Sequence, residues 1–326
     1  MKAEILKMLR QTEGYLSGQQ LCDKLKVSRT AVWKVMNQLK EEGYEIEAVR
    51  NKGYRIVDCP DRISAEEIKS RLETVWAARH LEYYRETDST NTRAKAFGEA
   101  GAPHGTLVVA ERQNAGKGRR GRGWSSPEDS NIYMSILLRP QFAPALAPML
   151  TLVMAYSAAT VLHDAAGIQA HIKWPNDLVL NQKKICGILT EMSAQIDYIN
   201  YVVIGVGINV NQETFPPEIA ETATSLRREA GKGFARAELI AAVMKRFEAC
   251  YEAFCEAGSL RPFVDGYNRM LVNRGRRVRV LEPGNEYDAL SHGIDEKGEL
   301  QVEREDGRRE AIFAGEVSVR GIYGYV

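Results

Sequence analysis

The run Gly116–Trp124 reads GKGRRGRGW and sets Lys117, Arg119, Arg120 and Arg122 among glycines. No acid lies between Arg112 and Trp124, although the whole chain carries 44 Lys+Arg against 43 Asp+Glu. Arginine offers a planar fork of donors that clamps phosphate oxygens in pairs. Glycine lets the backbone come close to a ligand. Gly116, Gly118 and Gly121 also satisfy G-x-G-x-x-G, the dinucleotide fingerprint, which needs a strand before it and a helix after it. A strand precedes, in TLVVAERQ, but a loop and a second strand, NIYMSILL, follow. No helix N-terminus is available there for a pyrophosphate. The phosphate-loop pattern G-x-x-x-x-G-K-[ST] also fails, because Gly118 follows Lys117 and position 111 is Glu. What remains is a strand-to-strand loop of cations able to close on an anion. A plain solvated loop is the competing reading of this segment alone.

Three other segments hold residue types suited to chemistry. TDSTNTRA places Ser89, Thr90 and Asn91 at a helix start, where an ordinary cap accounts for them as well as a ligand does. KWPNDLVL sets Lys173, Trp174, Asn176 and Asp177 around a proline turn, and KKICGIL puts Lys184 inside an otherwise apolar strand. A lysine there needs a charged partner or a wet pocket. In IGVGINVN, Gly205, Gly207, Asn209 and Asn211 fall on one strand face. A face without side chains leaves room for a flat ligand, with Asn209 adding a polar contact, or for close helix packing. The 5 His residues are scattered without ligand spacing, so no His-based metal site is expected.

These residues need elements to position them. Residues 61–270 mix strands (HLEYYRE, GTLVVAERQ, NIYMSILLRP, HIKW, DLVLN, KKICGILTE, YVVIGVGINV) with helical stretches, which predicts a mixed β-sheet covered by helices. Residues 271–326 hold short β segments separated by EPGN, DEKG and EDG turns, which predicts a small antiparallel barrel or sandwich. Residues 1–60 differ. AEILKMLR, SGQQLCDKLKV and SRTAVWKVMNQLKEEGY have helical apolar spacing, with Ser17 and Ser28 as N-caps. The short break at Val27–Ser28 predicts a helix-turn-helix, and YEIEAVRNKGYRIV predicts a hairpin wing behind it. From Lys24 to Lys40 every charge is positive, and the wing adds Arg50, Lys52 and Arg55. Positive charge thus collects on the two elements a winged helix offers to DNA. Ser28, Arg29 and Thr30 open the recognition helix, where base edges are reached. Trp33 and Lys34 face away from its apolar stripe. A small interaction domain with a solvated basic face is the weaker reading.

The composition, 44% apolar and 27% charged, is that of a soluble globular protein. The 5 cysteines form no C-x-x-C pair, and with no secretory leader in view they point to reduced thiols and a cytoplasmic location. No apolar run near the ~20 residues of a membrane span stands out, so no membrane partner is expected.

Taken in order, GKGRRGRGW, KWPND, KKICGIL and GVGINV resemble the biotin protein ligases. With the winged helix, the chain resembles the bifunctional form, biotin–[acetyl-CoA-carboxylase] ligase and biotin operon repressor. GIDEKGEL…GEVSVRG is similar to the small SH3-like barrel that ends that family. The resemblance covers essentially the whole chain. Lys117 stands where some members carry arginine, which keeps the charge and loses the fork. The resemblance implies that biotin and ATP form biotinyl-5′-AMP, and that a lysine of a biotin carboxyl carrier protein then takes the biotinyl group. It implies catalytic roles for Lys184 and Arg119, and a biotin site of Ser89, Thr90, Asn91, Gln113, Gly116, Lys117, Gly118, Arg119, Lys184 and Gly187. It implies a nucleotide site of Arg119, Arg122, Trp124, Lys173, Asn176 and Asn209, with Mg²⁺ on Asp177. Operator DNA, bound by a homodimer in the adenylate-bound form, would be the second partner. A ligand-sensing transcription factor without ligase activity and a lipoate-type ligase are the alternatives.

Overall fold

The computed structural model describes residues 1–282, 285–313 and 318–321. They divide into two compact units, Met1–Leu72 with Ala235–Ala241, and Glu73–Phe234 with Ala242–Val326.

The first unit is built from α1 (Lys2–Gln11), α2 (Gly18–Leu25), α3 (Arg29–Glu41), β1 (Glu45–Val49), β2 (Gly53–Asp58) and α4 (Ala65–Arg71). The expected caps form. Ser17 and Gln20 make a reciprocal capping box on α2, and the Ser28 hydroxyl accepts from Ala31 N–H on α3. Lys26, in the left-handed region at φ 54°, makes the sharp turn between these helices. Ile5, Leu6, Leu9, Leu21, Val32, Val35, Met36, Leu39 and Ile46 form the core. β1 and β2 pair antiparallel as the wing. Leu16 and Tyr54 exchange two backbone hydrogen bonds of 2.9 Å, an isolated bridge beside the two-stranded wing. Gly53 permits this approach: at φ +119°, a Cβ there would meet Leu16 O at 2.2 Å.

α4 joins this unit through buried charge. Glu67, 2% exposed, takes Arg10 at 2.5 Å, Arg71 at 3.0 Å and the Tyr44 hydroxyl at 2.6 Å. Burial works to raise the Glu67 pKa. The hydrogen bonds from Arg10 and Tyr44, with the charges of Arg10 and Arg71, overcome it and hold the pKa below the usual carboxylate range. A carboxylate with a depressed folded pKa stabilises the fold above its unfolded pKa, and that contribution is lost as pH falls through the folded value. The contact therefore persists through neutral pH and fails only in acid. Glu67→Leu is expected to destabilise this unit by about 3 kcal/mol, because Arg10 and Arg71 lose their shared partner. Amide exchange of α1 and α4 measures it, and unchanged protection refutes the role. In the same unit Arg236, fully buried, reaches Asp61 Oδ2 at 2.8 Å.

The second unit holds β3 (Leu81–Thr87), α5 (Thr90–Glu99), β4 (Thr106–Gln113), β5 (Ile132–Leu138), α6 (Met149–Ala166), β6 (His171–Lys173), β7 (Asp177–Leu180), β8 (Lys183–Ala194), β9 (Ile199–Ile208) and α7 (Leu226–Ala230). α8 (Arg236–Ala257), whose residues up to Ala241 belong to the first unit, and α9 (Val264–Met270) follow. The sheet order is β3-β4-β5-β9-β8-β7-β6. Only β3–β4 is parallel, joined through α5, so the sheet is mixed as the sequence predicts. β5 is buried at every position, which is why it reads as a continuous apolar run rather than an alternation.

One sequence expectation needs correcting. Pro144–Ala166 is helical, with mean hydropathy 1.7, and is long and apolar enough to cross a membrane by those measures. In the fold, Leu150, Val153, Met154, Ala155, Ala158 and Leu162 of α6 are buried and the helix packs on the sheet. A core helix of a folded unit passes the same test.

β10 (Arg277–Glu282), β11 (Asn285–Ile294), β12 (Leu300–Arg304), β13 (Arg309–Ile312) and β14 (Ser318–Gly321) complete the chain. They form an antiparallel sheet in the order β13-β12-β11-β10-β14. The sequence predicts a small barrel here. Among the described residues the edge strands β13 and β14 do not pair, so the sheet stays open. Pro283 and Gly284 of EPGN, Gly315–Val317 of GEVSVRG and residues 322–326 lie outside the described residues.

Candidate active site

The cationic run between β4 and β5 is folded. Gly118 N donates to Arg122 O at 2.7 Å, Trp124 N donates to Gly116 O at 2.9 Å, and Lys117 bridges Gly123. A 3₁₀ turn over Arg119–Gly121 forms the tip. The result is a short hairpin rather than an open arm, and it covers a cleft of about 460 Å³, open mouth included. Ser89, Thr90, Asn91, Gln113, Lys117, Gly118, Arg119, Trp124, Asn176, Lys184 and Gly187 all line that cleft.

A neutral network forms one wall. Gln113 Oε1 accepts from Thr90 N and Oγ1 at 2.8 and 3.1 Å, and Gln113 Nε2 donates to Ser126 Oγ at 3.0 Å. Ser135 Oγ lies 2.8 Å from Thr90 Oγ1 and donates to Asn91 Oδ1 at 2.6 Å. Asn91 Nδ2 donates to Glu191 at 2.9 Å, and Lys95 holds the other Glu191 oxygen at 2.7 Å. Burial works to raise the Glu191 pKa. The hydrogen bonds from Lys95 and Asn91 reverse that and lower it. The Asn91 amide is thus committed within the protein. Ser89 caps α5 by backbone alone, with no side-chain cap bond, so the ordinary-cap account of this serine fails. Its side chain lines the cleft instead.

Lys184 and Arg119 bring charge to the same cleft. Lys184 Nζ lies 2.7 Å from Asp177 Oδ1 and 5.3 Å from the Trp124 ring centroid. Asp177 is the charged partner that a lysine in an apolar strand requires. Arg119 Nη1 donates to Asn176 Oδ1 at 2.9 Å, and Asn176 Nδ2 donates to Ile188 O at 3.1 Å. Burial lowers the Arg119 pKa, with Arg120 adding to the effect, yet an arginine stays charged. Trp174, 1% exposed, anchors the preceding turn by donating to Gly298 O at 3.1 Å.

The bare strand face is occupied by the protein itself. A Cβ at Gly205 would meet Asn91 Oδ1 at 1.9 Å, and one at Gly207 would meet the Trp124 indole at 2.5 Å. Gly187 sits 2.8 Å from the same indole by that measure. The glycines seat Asn91 and Trp124, and the cleft lies beside those two side chains.

Other sequence-derived residues stand apart from the cleft lining. Asn209 lies one residue past β9, buried, and donates to Thr224 O at 3.0 Å. Lys173 is buried on β6 opposite Asp177 in register. Arg122 is exposed on the hairpin, and Gly116 backs onto Trp124 O, Ser126 and Gln113. Ser126, Ser135 and Glu191 escape the sequence analysis. Ser135 leaves one usable signal, a lone polar residue in the apolar strand IYMSILL, where a buried hydroxyl needs a partner.

In the first unit, Arg29, Thr30, Trp33 and Lys34 are exposed on α3, as are Ser28 before it and Arg50 and Lys52 at the wing turn. Arg29 is braced by Gln19 at 2.8 Å, and Tyr15 lies under Lys52 and Arg55 with centroid distances of 5.7 and 5.1 Å.

One unit with the elements of a DNA-binding winged helix, and another whose cleft sets a lysine and an arginine against a hydrogen-bonded polar wall, define a two-part protein of the ligase-and-regulator class. Three family models match: the biotin/lipoate A/B protein ligase family over residues 83–209, an HTH domain over 2–55, and the biotin protein ligase C terminal domain over 275–320. The chain is 40% identical over 307 residues to the bifunctional ligase/repressor BirA of Bacillus subtilis, covering 94% of each chain. It is 32% identical to that of Escherichia coli, over 93% of this chain and 92% of the relative. The fold is similar to biotin protein ligase from Aquifex aeolicus in complex with biotin and ATP, with TM-score 0.67 and 34% identity over 74% of this chain and 99% of that one. The chain belongs to the biotin protein ligase family, in its bifunctional ligase/repressor form.

Proposed function

We propose that this chain activates biotin with ATP, transfers it to a carrier-protein lysine, and represses transcription with the adenylate as corepressor. The observation that carries the ligase reading is the cleft itself, where Lys184 on Asp177 and Arg119 on Asn176 share one lining with Ser89, Thr90 and Gln113. A free carboxylate is a poor acyl donor. In the first step a biotin carboxylate oxygen attacks the α-phosphorus of ATP, the α–β P–O bond breaks, and pyrophosphate leaves. In the second, the carrier lysine amine attacks the acyl carbon, the mixed anhydride breaks, AMP leaves, and the new amide loses a proton. Negative charge builds on phosphate oxygens in both steps, so fixed cations at the cleft lower both barriers. Lys184 meets the reacting carboxylate and α-phosphate, Arg119 closes over them with Lys117 and Gly118, and Trp124 flanks the base. Asp177 orients Lys184.

A resident Mg²⁺ does not fit these residues. Asp177 is one carboxylate already paired with Lys184, and no group of three His, Cys, Asp or Glu suited to a metal forms among the described residues. Magnesium enters as part of the ATP substrate.

The winged helix would serve operator DNA as part of a homodimer favoured by the adenylate, and a cytoplasmic location goes with that reading. We read the parts as residues 1–60 for DNA, 61–270 for ligation and 271–326 as an SH3-like module. Pyrophosphate release from biotin and ATP tests the ligase. None would leave a sensing transcription factor, and preference for lipoate in competition would leave a lipoate-type ligase. Arg119→Ala, which removes a charge-assisted clamp, is expected to speed adenylate dissociation about tenfold or more and to biotinylate lysines less selectively. Unchanged dissociation, measured by filter binding, would count against the hairpin's role.

A further inference from the structure

The face of α3 turned away from the core carries Thr30, Trp33, Lys34 and Asn37, at i, i+3, i+4 and i+7. Trp33 is 57% exposed, while Val32, Val35, Met36 and Leu39 beside it are buried. The indole stands outside the core cluster of the unit, and its neighbours on that face are polar or basic rather than apolar. The surroundings say what it contacts. No acid occurs from Lys24 to Lys40, and Arg29, Lys34, Arg50 and Lys52 are all exposed. Such a face suits a polyanion and repels a basic partner. Contacts to phosphates position a helix without reading sequence, and an arginine or lysine that reads a base edge reads guanine. An apolar ring reads something else: in the major groove the one apolar group on a base edge is the thymine 5-methyl.

We propose that Trp33 reads a thymine methyl group in the major groove of each operator half-site, with the Thr30 methyl one turn earlier beside it. Arg29 and Lys34 flank this contact on phosphates. The proposal rests on the DNA-binding reading above and adds the base that the recognition helix selects.

The test uses the full-length chain with biotin and ATP. Duplexes are selected from a random library, and each thymine of the selected site is then replaced singly by deoxyuridine, which removes one methyl and nothing else. At one thymine per half-site the replacement is expected to weaken binding about fourfold, the value of one buried methyl-sized group. In Trp33→Ala the same replacement should have no effect there, while its effects at other thymines persist. Trp33→Leu, which keeps an apolar side chain, should retain part of the discrimination. A methyl effect that survives unchanged in Trp33→Ala overturns the proposal. So does a Trp33→Ala loss equal across all sequences, which marks a phosphate contact from the indole N–H. Failure of the unaltered chain to select any sequence overturns the DNA-binding reading as well, and shows before any substitution is made.

Discussion

Lys184→Met should nearly abolish adenylation while leaving the fold intact. Methionine keeps the length and apolar stem of the side chain, and β8 is already lined by Ile185, Cys186 and Ile188. What disappears is the ammonium 2.7 Å from Asp177 and 5.3 Å from the Trp124 ring. Losing one preorganised group that meets developing charge costs about 10²–10³ in turnover. Here the loss is compounded, because the Asp177 carboxylate loses the ammonium 2.7 Å from it. Pyrophosphate release at saturating biotin and ATP measures it. Lys183→Met, one residue earlier on β8 and outside the cleft lining, is the matched control and is expected to stay near wild-type turnover. Equal rates in the two variants would remove Lys184 from the chemistry. Because Asp177 acts through Lys184, adding Asp177→Asn to Lys184→Met should cost less than it does alone.

Removing residues 1–60 should eliminate selective DNA binding and leave most of the ligase activity. The deletion takes α1–α3 and the wing, with every exposed cation of the recognition surface. Specific binding exceeds non-specific binding by about 10³ or more, so the loss is large against any selected duplex. The cut leaves Asp61 in place, and Arg236 keeps its partner. It strips Arg10 and Tyr44 from Glu67 and leaves Arg71 alone on that carboxylate. The truncated chain is therefore expected to be less stable at α4 while the cleft residues, all in the second unit, remain together. Surviving selective binding would refute the winged-helix assignment. Complete loss of ligation would show that the second unit needs the first.

The part of the site carried by local chemistry was legible. A glycine-rich run between two strands cannot be a dinucleotide loop, because the helix such a loop requires is missing, and the structure shows a hairpin there. A lysine in an apolar strand demands a partner, and Asp177 supplies it. Charge segregation over residues 24–55 singled out the faces of α3 and the wing. Asn209 was less legible. The two-residue strand period puts it in line with Gly205 and Gly207, but β9 ends at Ile208, and the amide turns to Thr224 instead. Periodicity says which face a residue has only while the strand lasts.

Sequence alone determined the helices and their serine caps, the apolar stripes, the strand segments, the stretches of like charge and the motif order that marks the family. All of these depend on neighbours within a few residues. Tertiary structure decided how polar groups far apart in the chain spend their hydrogen bonds. Ser135 meets Asn91 across 44 positions, Asn91 meets Glu191 across 100, and Trp174 meets Gly298 across 124. It also decided that α4 belongs with the winged helix through Glu67, that Asn91 and Trp124 occupy the glycine face, and that the described C-terminal strands form an open sheet. The reason is physical. A buried donor or acceptor must be paired, but its residue type does not say with what, and only the packed chain brings the partner within 3 Å or so.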